Sequence, residues 1–210
     1  QSNTSKPKLT AASLTIDNTI AEIWKSRFLM GTGIDDSRFF NDGASVSRFK
    51  TTNDKLEWQN DIRMMGDDAI IVGLDYLKQR VDFDDGFGGV IDKQRQSTAA
   101  FIGYVAKFAG GHLLQLNLRH DHFSDVGNRT TGLLGGGFAI TDRLTLSAMI
   151  STAFRAPTFV DLYYPFGLGN PNLKPERARS AEIGIQYAHT HGLAKLVYFR
   201  NRLKDLLGCD

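Results

Sequence analysis

Apolar and polar residues alternate one for one along most of this chain, and that rhythm leaves few architectures open. Leu114, Leu116 and Leu118 interleave with Gln115, Asn117 and Arg119. Leu144, Leu146, Ala148 and Ile150 interleave with Thr145, Ser147, Met149 and Ser151, and Ala181, Ile183, Ile185 and Tyr187 with Ser180, Glu182, Gly184 and Gln186. Leu56, Trp58, Ile62 and Met64 repeat the pattern, as do Ile70, Val72, Leu74 and Tyr76, where Ile71 and Leu77 blur the polar side. A period of two is the signature of strands with one apolar and one polar face, and helical spacing is nowhere sustained. The pattern predicts an all-β, antiparallel up-and-down meander of about ten strands, near 9–16, 19–34, 47–64, 69–83, 95–109, 112–123, 129–140, 143–153, 177–189 and 193–206.

The connections alternate in length. Asp17-Asn18, Gly66-Asp67-Asp68, Gly110-Gly111, Thr141-Asp142-Arg143 and His191-Gly192 read as tight turns, rich in the residues that tolerate positive φ. Longer loops are expected at 35–46, 84–94, 124–128 and 154–176, all at the opposite end. Two architectures carry such a meander. In a soluble barrel or sandwich the apolar face is the core; in an outer-membrane barrel it meets lipid, turns are short at one end and loops long at the other. Several strands here reach the ten or so residues that a tilted membrane strand needs, which favours the membrane barrel. A net charge of +2 gives no nucleic-acid footprint. The single Cys209 excludes an internal disulfide and reads as an incidental thiol. No apolar run reaches a membrane helix. Residues 1–8 read as a disordered or expression-derived end, without a signal peptide.

One stretch is more specific: Phe154-Arg155-Ala156-Pro157, then Leu162-Tyr163, then Gly169-Asn170-Pro171 with Leu173, Pro175 and Glu176, then Glu182 opening the next strand. This ordered set resembles the hallmark segment of TonB-dependent outer-membrane receptors, and the region around Asn60–Gln79 is most similar to their vitamin B12 (cobalamin) branch. The resemblance implies residues 9–210 are part of a transmembrane β-barrel, 22-stranded in the family and closed around a plug that is not in this sequence. It implies the outer membrane of a Gram-negative bacterium as location, cobalamin or else an iron-siderophore as imported ligand, TonB as partner through the missing plug region, outer-membrane lipid around the wall, and no enzymatic activity or cofactor. A piece with two open strand edges is expected to self-associate. The family-motif loop supplies the possible ligand-facing residues Arg155, Pro157, Phe159, Asp161, Tyr163, Tyr164, Asn170, Pro171 and Glu176. Phe159, Tyr163, Tyr164 and Phe166 offer flat surfaces to a ring-bearing ligand, or else pack the loop against itself. Prolines stiffen the excursion by fixing φ.

Other chemistry is weaker. His120 and His122 lie on one strand face at a spacing open to a metal, and the same stretch, His120 to Asp125, holds hydrolase-type residues but no nucleophile motif. Asp82, Asp84 and Asp85 sit beside glycines but lack the spacing of a calcium loop. Gly135–Gly137 lack phosphate-loop spacing and fit a bend or close approach. Glu182 is expected to pair with a basic neighbour such as Arg119.

Overall fold

A computed structural model describes residues 3–42, 44–64 and 66–207; Cys209 lies outside them. The strands are β1 (Asn3–Ala21), β2 (Trp24–Asn41), β3 (Ala44–Arg63), β4 (Ala69–Asp84), β5 (Val90–Phe108), β6 (His112–Phe123), β7 (Gly127–Thr141), β8 (Leu144–Arg155), β9 (Glu176–His189) and β10 (Gly192–Lys204). One short helix, α1 (Phe159–Tyr163), lies between β8 and β9. All ten strands join a single sheet in sequence order, each antiparallel to its neighbours. The predicted all-β meander is therefore the fold.

Register shows why the alternation matters. Residues opposite one another in an antiparallel pair share a face. One unbroken band crosses the sheet: Leu14 faces Met30, Met30 faces Leu56, Leu56 faces Tyr76. Farther on, Ile102 faces Leu118, Leu116 faces Leu134, Leu134 faces Ile150, Leu146 faces Ile185 and Ile185 faces Leu196. Most of this band is exposed: Leu118 at 54%, Ile150 at 57% and Leu196 at 71%. The hydrophobic residues therefore cover one side of the sheet instead of meeting in a core. Aromatic side chains near the turn end keep their polar tips bonded. Trp24 Nε1 donates to Asn60 Oδ1 (2.9 Å), Trp58 Nε1 to Ser26 Oγ (2.9 Å) and Tyr104 Oη to Asp68 Oδ2 (2.6 Å).

The other face is a mat of polar groups. Arg119 bridges Asp75 (2.5 Å) and Asp121 (2.9 Å), and Lys55 bonds Glu57 (2.5 Å). Glu182, expected opposite Arg119, instead stands across from Met149 and Phe199. The acids that reach Arg119 are on β4 and on β6 itself, because β7 and β8 lie between β6 and β9.

Four boundary expectations are corrected. Asp17 and Asn18 are not a turn: they lie inside β1, where Arg27 Nε donates to Asp17 Oδ1 (2.6 Å), and the turn falls at residues 22–23. The apolar pairs Leu14–Met30 and Ile16–Phe28 set this register and outweigh the local turn preference. The loop expected at 35–46 is mostly strand, with β2 running to Asn41 and β3 starting at Ala44; the loop at 84–94 shrinks to 85–89. Residues 3–8, read as a disordered end, pair with residues 36–41 of β2. In these outer stretches both faces are polar, so alternation fades while backbone pairing continues, helped by ion pairs such as Arg48–Asp36 (2.7 Å).

Candidate functional site

Residues 156–175 leave the sheet after β8 and fold back over the polar face at the loop end. α1 starts with a capping box. Thr158 Oγ1 accepts from the Asp161 backbone N–H (3.1 Å), and Asp161 Oδ2 accepts from the Thr158 N–H (2.8 Å). The two bonds satisfy donors that a helix start otherwise leaves orphaned. Leu162 points inward at 3% exposure, and Pro157 is fully buried, as are Val81 and Ile91 at the polar-face ends of β4 and β5.

Arg95 on β5 fastens this loop. Its Nε donates to both oxygens of Asp125 (2.8 Å each), its Nη2 donates to the Pro157 carbonyl (2.9 Å), and its guanidinium lies 5.1 Å from the Phe159 ring centroid. At 5% exposure it is a buried cation held by an acid, a carbonyl and a ring. A planar fork with several donors suits such a three-way contact. Lys93, two residues earlier on the same face, places its ammonium 5.0 Å from the Tyr163 ring. Tyr164 stacks on Phe83 (5.8 Å), which in turn packs on Phe49 (5.7 Å).

The second half of the loop turns tightly. Gly169 N–H donates to the Tyr164 carbonyl (3.0 Å), and Asn170 N–H to the Asp161 carbonyl (2.9 Å). A Cβ on Gly169 would strike the backbone nitrogens of Tyr163 and Tyr164, so the close return requires glycine. Asn170 Oδ1 accepts from the Asn172 N–H (3.0 Å), closing the turn around Pro171. At the base, Arg155 faces Glu176 across the strand pair (3.7 Å), and Glu176 Oε1 accepts from the Leu207 N–H (2.6 Å).

The structure thus brings the expected motif residues together, mostly as fasteners. Arg155, Asp161, Asn170 and Glu176 have internal partners, Pro157 is buried, Pro171 stands exposed, and Phe159, Tyr163 and Tyr164 are held from below. The aromatic that stays open is Phe166, 70% exposed with φ of 62°, accompanied by Leu168 (75%) and, on the neighbouring β4–β5 loop, Phe87 (82%). Arg95, Lys93 and Asp125 were not foreseen. They belong to distant segments that read as ordinary polar strand and loop, and only the sheet register brings them to the loop.

The weak metal candidates have other partners. Asp84 Oδ1 accepts from Gly86 N–H, and Asp85 Oδ1 from Phe87 and Gly89 N–H (2.8 Å each). Asp82 is opposite Lys50 and Asp92. His120 Nδ1 bonds Thr130 Oγ1 (2.8 Å) and His122 Nδ1 bonds Asn128 Oδ1 (2.6 Å). Among the described residues, no three His, Cys, Asp or Glu side chains converge on one point as a metal would require.

The vitamin B12 transporter BtuB of Photobacterium profundum is 32% identical over 164 residues, covering 78% of this chain and 26% of the transporter. The ferric enterobactin receptor of Pseudomonas aeruginosa is 34% identical over 140 residues, covering 56% of this chain and 19% of the receptor. The chain therefore spans about a quarter of the length of the curated relatives it matches. The crystal structure of the siderophore receptor PirA from Pseudomonas aeruginosa superimposes with a TM-score of 0.81 at 20% identity, over 95% of this chain and 40% of that one, a likeness of fold. The family model described as "TonB dependent receptor-like, beta-barrel" matches residues 3–210. With ten meandering strands, an apolar outer band and the fastened loop all in place, the chain belongs to the TonB-dependent receptor-like β-barrel family.

Proposed function

We propose that this chain forms part of the wall of an outer-membrane receptor that imports a large, scarce nutrient. The exposed apolar band meets lipid, the polar face lines the lumen, and the loop end opens outside the cell. Tyr and Trp at the band's margins, with bonded polar tips, suit a membrane interface. Energy for release comes through TonB acting on a plug region that belongs to the whole receptor.

The observation that carries the reading is the roof loop. It is rigidly fastened from below by Arg95, yet it presents Phe166 and Leu168 beside Phe87. A preorganised apolar platform at a wet mouth binds a broad ring-bearing ligand without the cost of ordering a loose loop. Cobalamin is the favoured ligand, supported by vitamin B12 transporters among the relatives. A ferric siderophore is the second reading, supported by the ferric enterobactin receptor.

The test is growth on limiting cobalamin of a strain lacking its own receptor and supplied with the whole protein, with and without TonB. TonB-dependent rescue, weakened by Phe166→Ser, is the expected result. Rescue by ferric siderophores alone would select the second reading, and rescue by neither would reject nutrient import. The ten-stranded piece in isolation is expected to self-associate through β1 and β10; a monodisperse monomer by light scattering without detergent would contradict that.

A further inference from the structure

We propose that the outer faces of β9 and β10 form a binding site for the phosphate groups of an anionic lipid in the outer leaflet. The proposal rests on the membrane-barrel reading and adds a ligand on the lipid side of the wall.

The apolar band on these two strands ends abruptly. Ile185 faces Leu196 and Ile183 faces Tyr198; on the next three rungs of the same face, Ala181 faces Arg200, Arg179 faces Arg202, and Arg177 faces Lys204. Five cations thus occupy three consecutive rungs directly above the apolar residues. On the adjoining β8 the same rungs hold Ile150, Thr152 and Phe154, with no carboxylate. Asp205, just past β10, bonds Arg177 (2.8 Å). Arg179, Arg200 and Arg202 make no hydrogen bond or ion pair among the described residues and are all exposed.

Like charges directly opposite one another destabilise a strand pair, so Arg179 against Arg202 is costly unless an anion lies between them. Elsewhere on this face the molecule supplies acids to its cations: where Lys6, Arg38 and Arg48 stand in one row, Asp36 pairs with both arginines (3.7 and 2.7 Å). On the same face of β3 and β4, Lys78 is opposite Asp54, Lys50 opposite Asp82, and Arg48 opposite Asp84. Arg179 has both its neighbouring strands present, and neither offers an acid. Among the described residues no strand neighbour supplies an anion, and an external one fits the gap.

Height selects the anion. These rungs sit where the apolar band stops, at the level of lipid headgroups, and Tyr198 (70% exposed) marks the margin one rung below. Arginine forks match phosphate oxygens two at a time. A headgroup carrying phosphate on a sugar backbone, with acyl chains lying along Ile183, Ile185 and Leu196, fits both parts of the surface.

The experiment uses the whole receptor in phosphatidylcholine vesicles with or without purified lipid A, followed by detergent exchange and native mass spectrometry. Heat-modifiable mobility on gels verifies that each variant is folded and inserted. The wild type is expected to retain lipid A, and the Arg179→Gln/Arg202→Gln double variant to retain it less by roughly tenfold or more. Lys50→Gln/Lys78→Gln, on the mixed-charge wall, is expected to behave as wild type. Equal retention by the arginine variant would overturn the site, as would a following strand's carboxylates neutralising it. Displacement of lipid A by inorganic phosphate at matched concentration would assign the patch to a free anion instead. Failure of the wild type to insert at all would remove the membrane reading, and this site with it.

Discussion

The sheet has a tall side and a low side. β1 to β5 run 19, 18, 20, 16 and 19 residues, whereas β6 to β10 run 12, 15, 12, 14 and 13. A tilted strand crosses a bilayer in about 9–11 residues, so the low strands do little more than cross. The tall strands continue for up to about 30 Å of chain beyond the crossing, at roughly 3.3 Å per residue. The long loop belongs to the low side, between β8 and β9, but its anchors, Arg95 and Lys93, belong to the tall side. The difference shows a division of labour: one half of the wall supplies a buttress and the other supplies what leans on it.

The largest effect should come from the low wall in its membrane. Leu146→Arg should cost roughly 2–4 kcal/mol in urea unfolding from lipid, whereas Ser147→Arg, one residue on and facing the lumen, should cost far less. Equal costs would break the assignment of faces. Next is removing the buttress. Arg95→Ala leaves the buried Pro157 carbonyl without its donor and the solvent-accessible Asp125 without its cation, which should cost about 1–3 kcal/mol. Hydrogen exchange across 158–170 should rise sharply while β6 to β10 stay protected; unchanged protection would mean the loop holds itself.

A smaller effect tests whether α1 is shaped locally or only by its anchors. Thr158→Ala removes the helix cap and should cost about 1 kcal/mol, read as faster exchange at Asp161 with the Arg95 contacts intact. The smallest concerns the end of the low wall. The Arg177 hydrogen bond holds the Asp205 carboxyl below its ordinary range. A carboxyl depressed in the folded state contributes its stability above the unfolded value and loses it as pH falls through the folded one. Exchange at 205–207 should therefore increase only when pH drops below the usual aspartate range, and the Asp205→Asn variant should show no such change.

The same contrast explains what the sequence discloses. On the low side nearly every strand residue lies in or beside the apolar band, and the alternation predicts 112–123 where the strand is His112–Phe123. On the tall side the outer stretches meet water on both faces, so Asp35 to Phe40 carry no alternation and read as loop although they are paired residue by residue with β1 and β3. Asp17-Asn18 misleads for a related reason, since turn chemistry is local and register is not. The motif loop is legible as a unit, including Pro157 and Asn170. Its fastening is not, because Arg95 and Pro157 lie 62 residues apart and meet only through three intervening strand pairings. Phe166 is legible as an aromatic among four, but only the packing of the other three sets it apart.

Strict neighbour-to-neighbour order across ten strands also bears on how such a wall assembles. Every strand can dock on the one made just before it, so each step closes a short chain segment, and closure entropy grows only with the logarithm of segment length. A topology of this kind has low contact order and should zip from a growing edge instead of waiting for distant partners. The exception is the stretch between β8 and β9, whose anchor on β5 is laid down three pairings earlier. Its docking is the natural last event on this side of the barrel, and a receptor caught before it would have a complete wall and an open mouth.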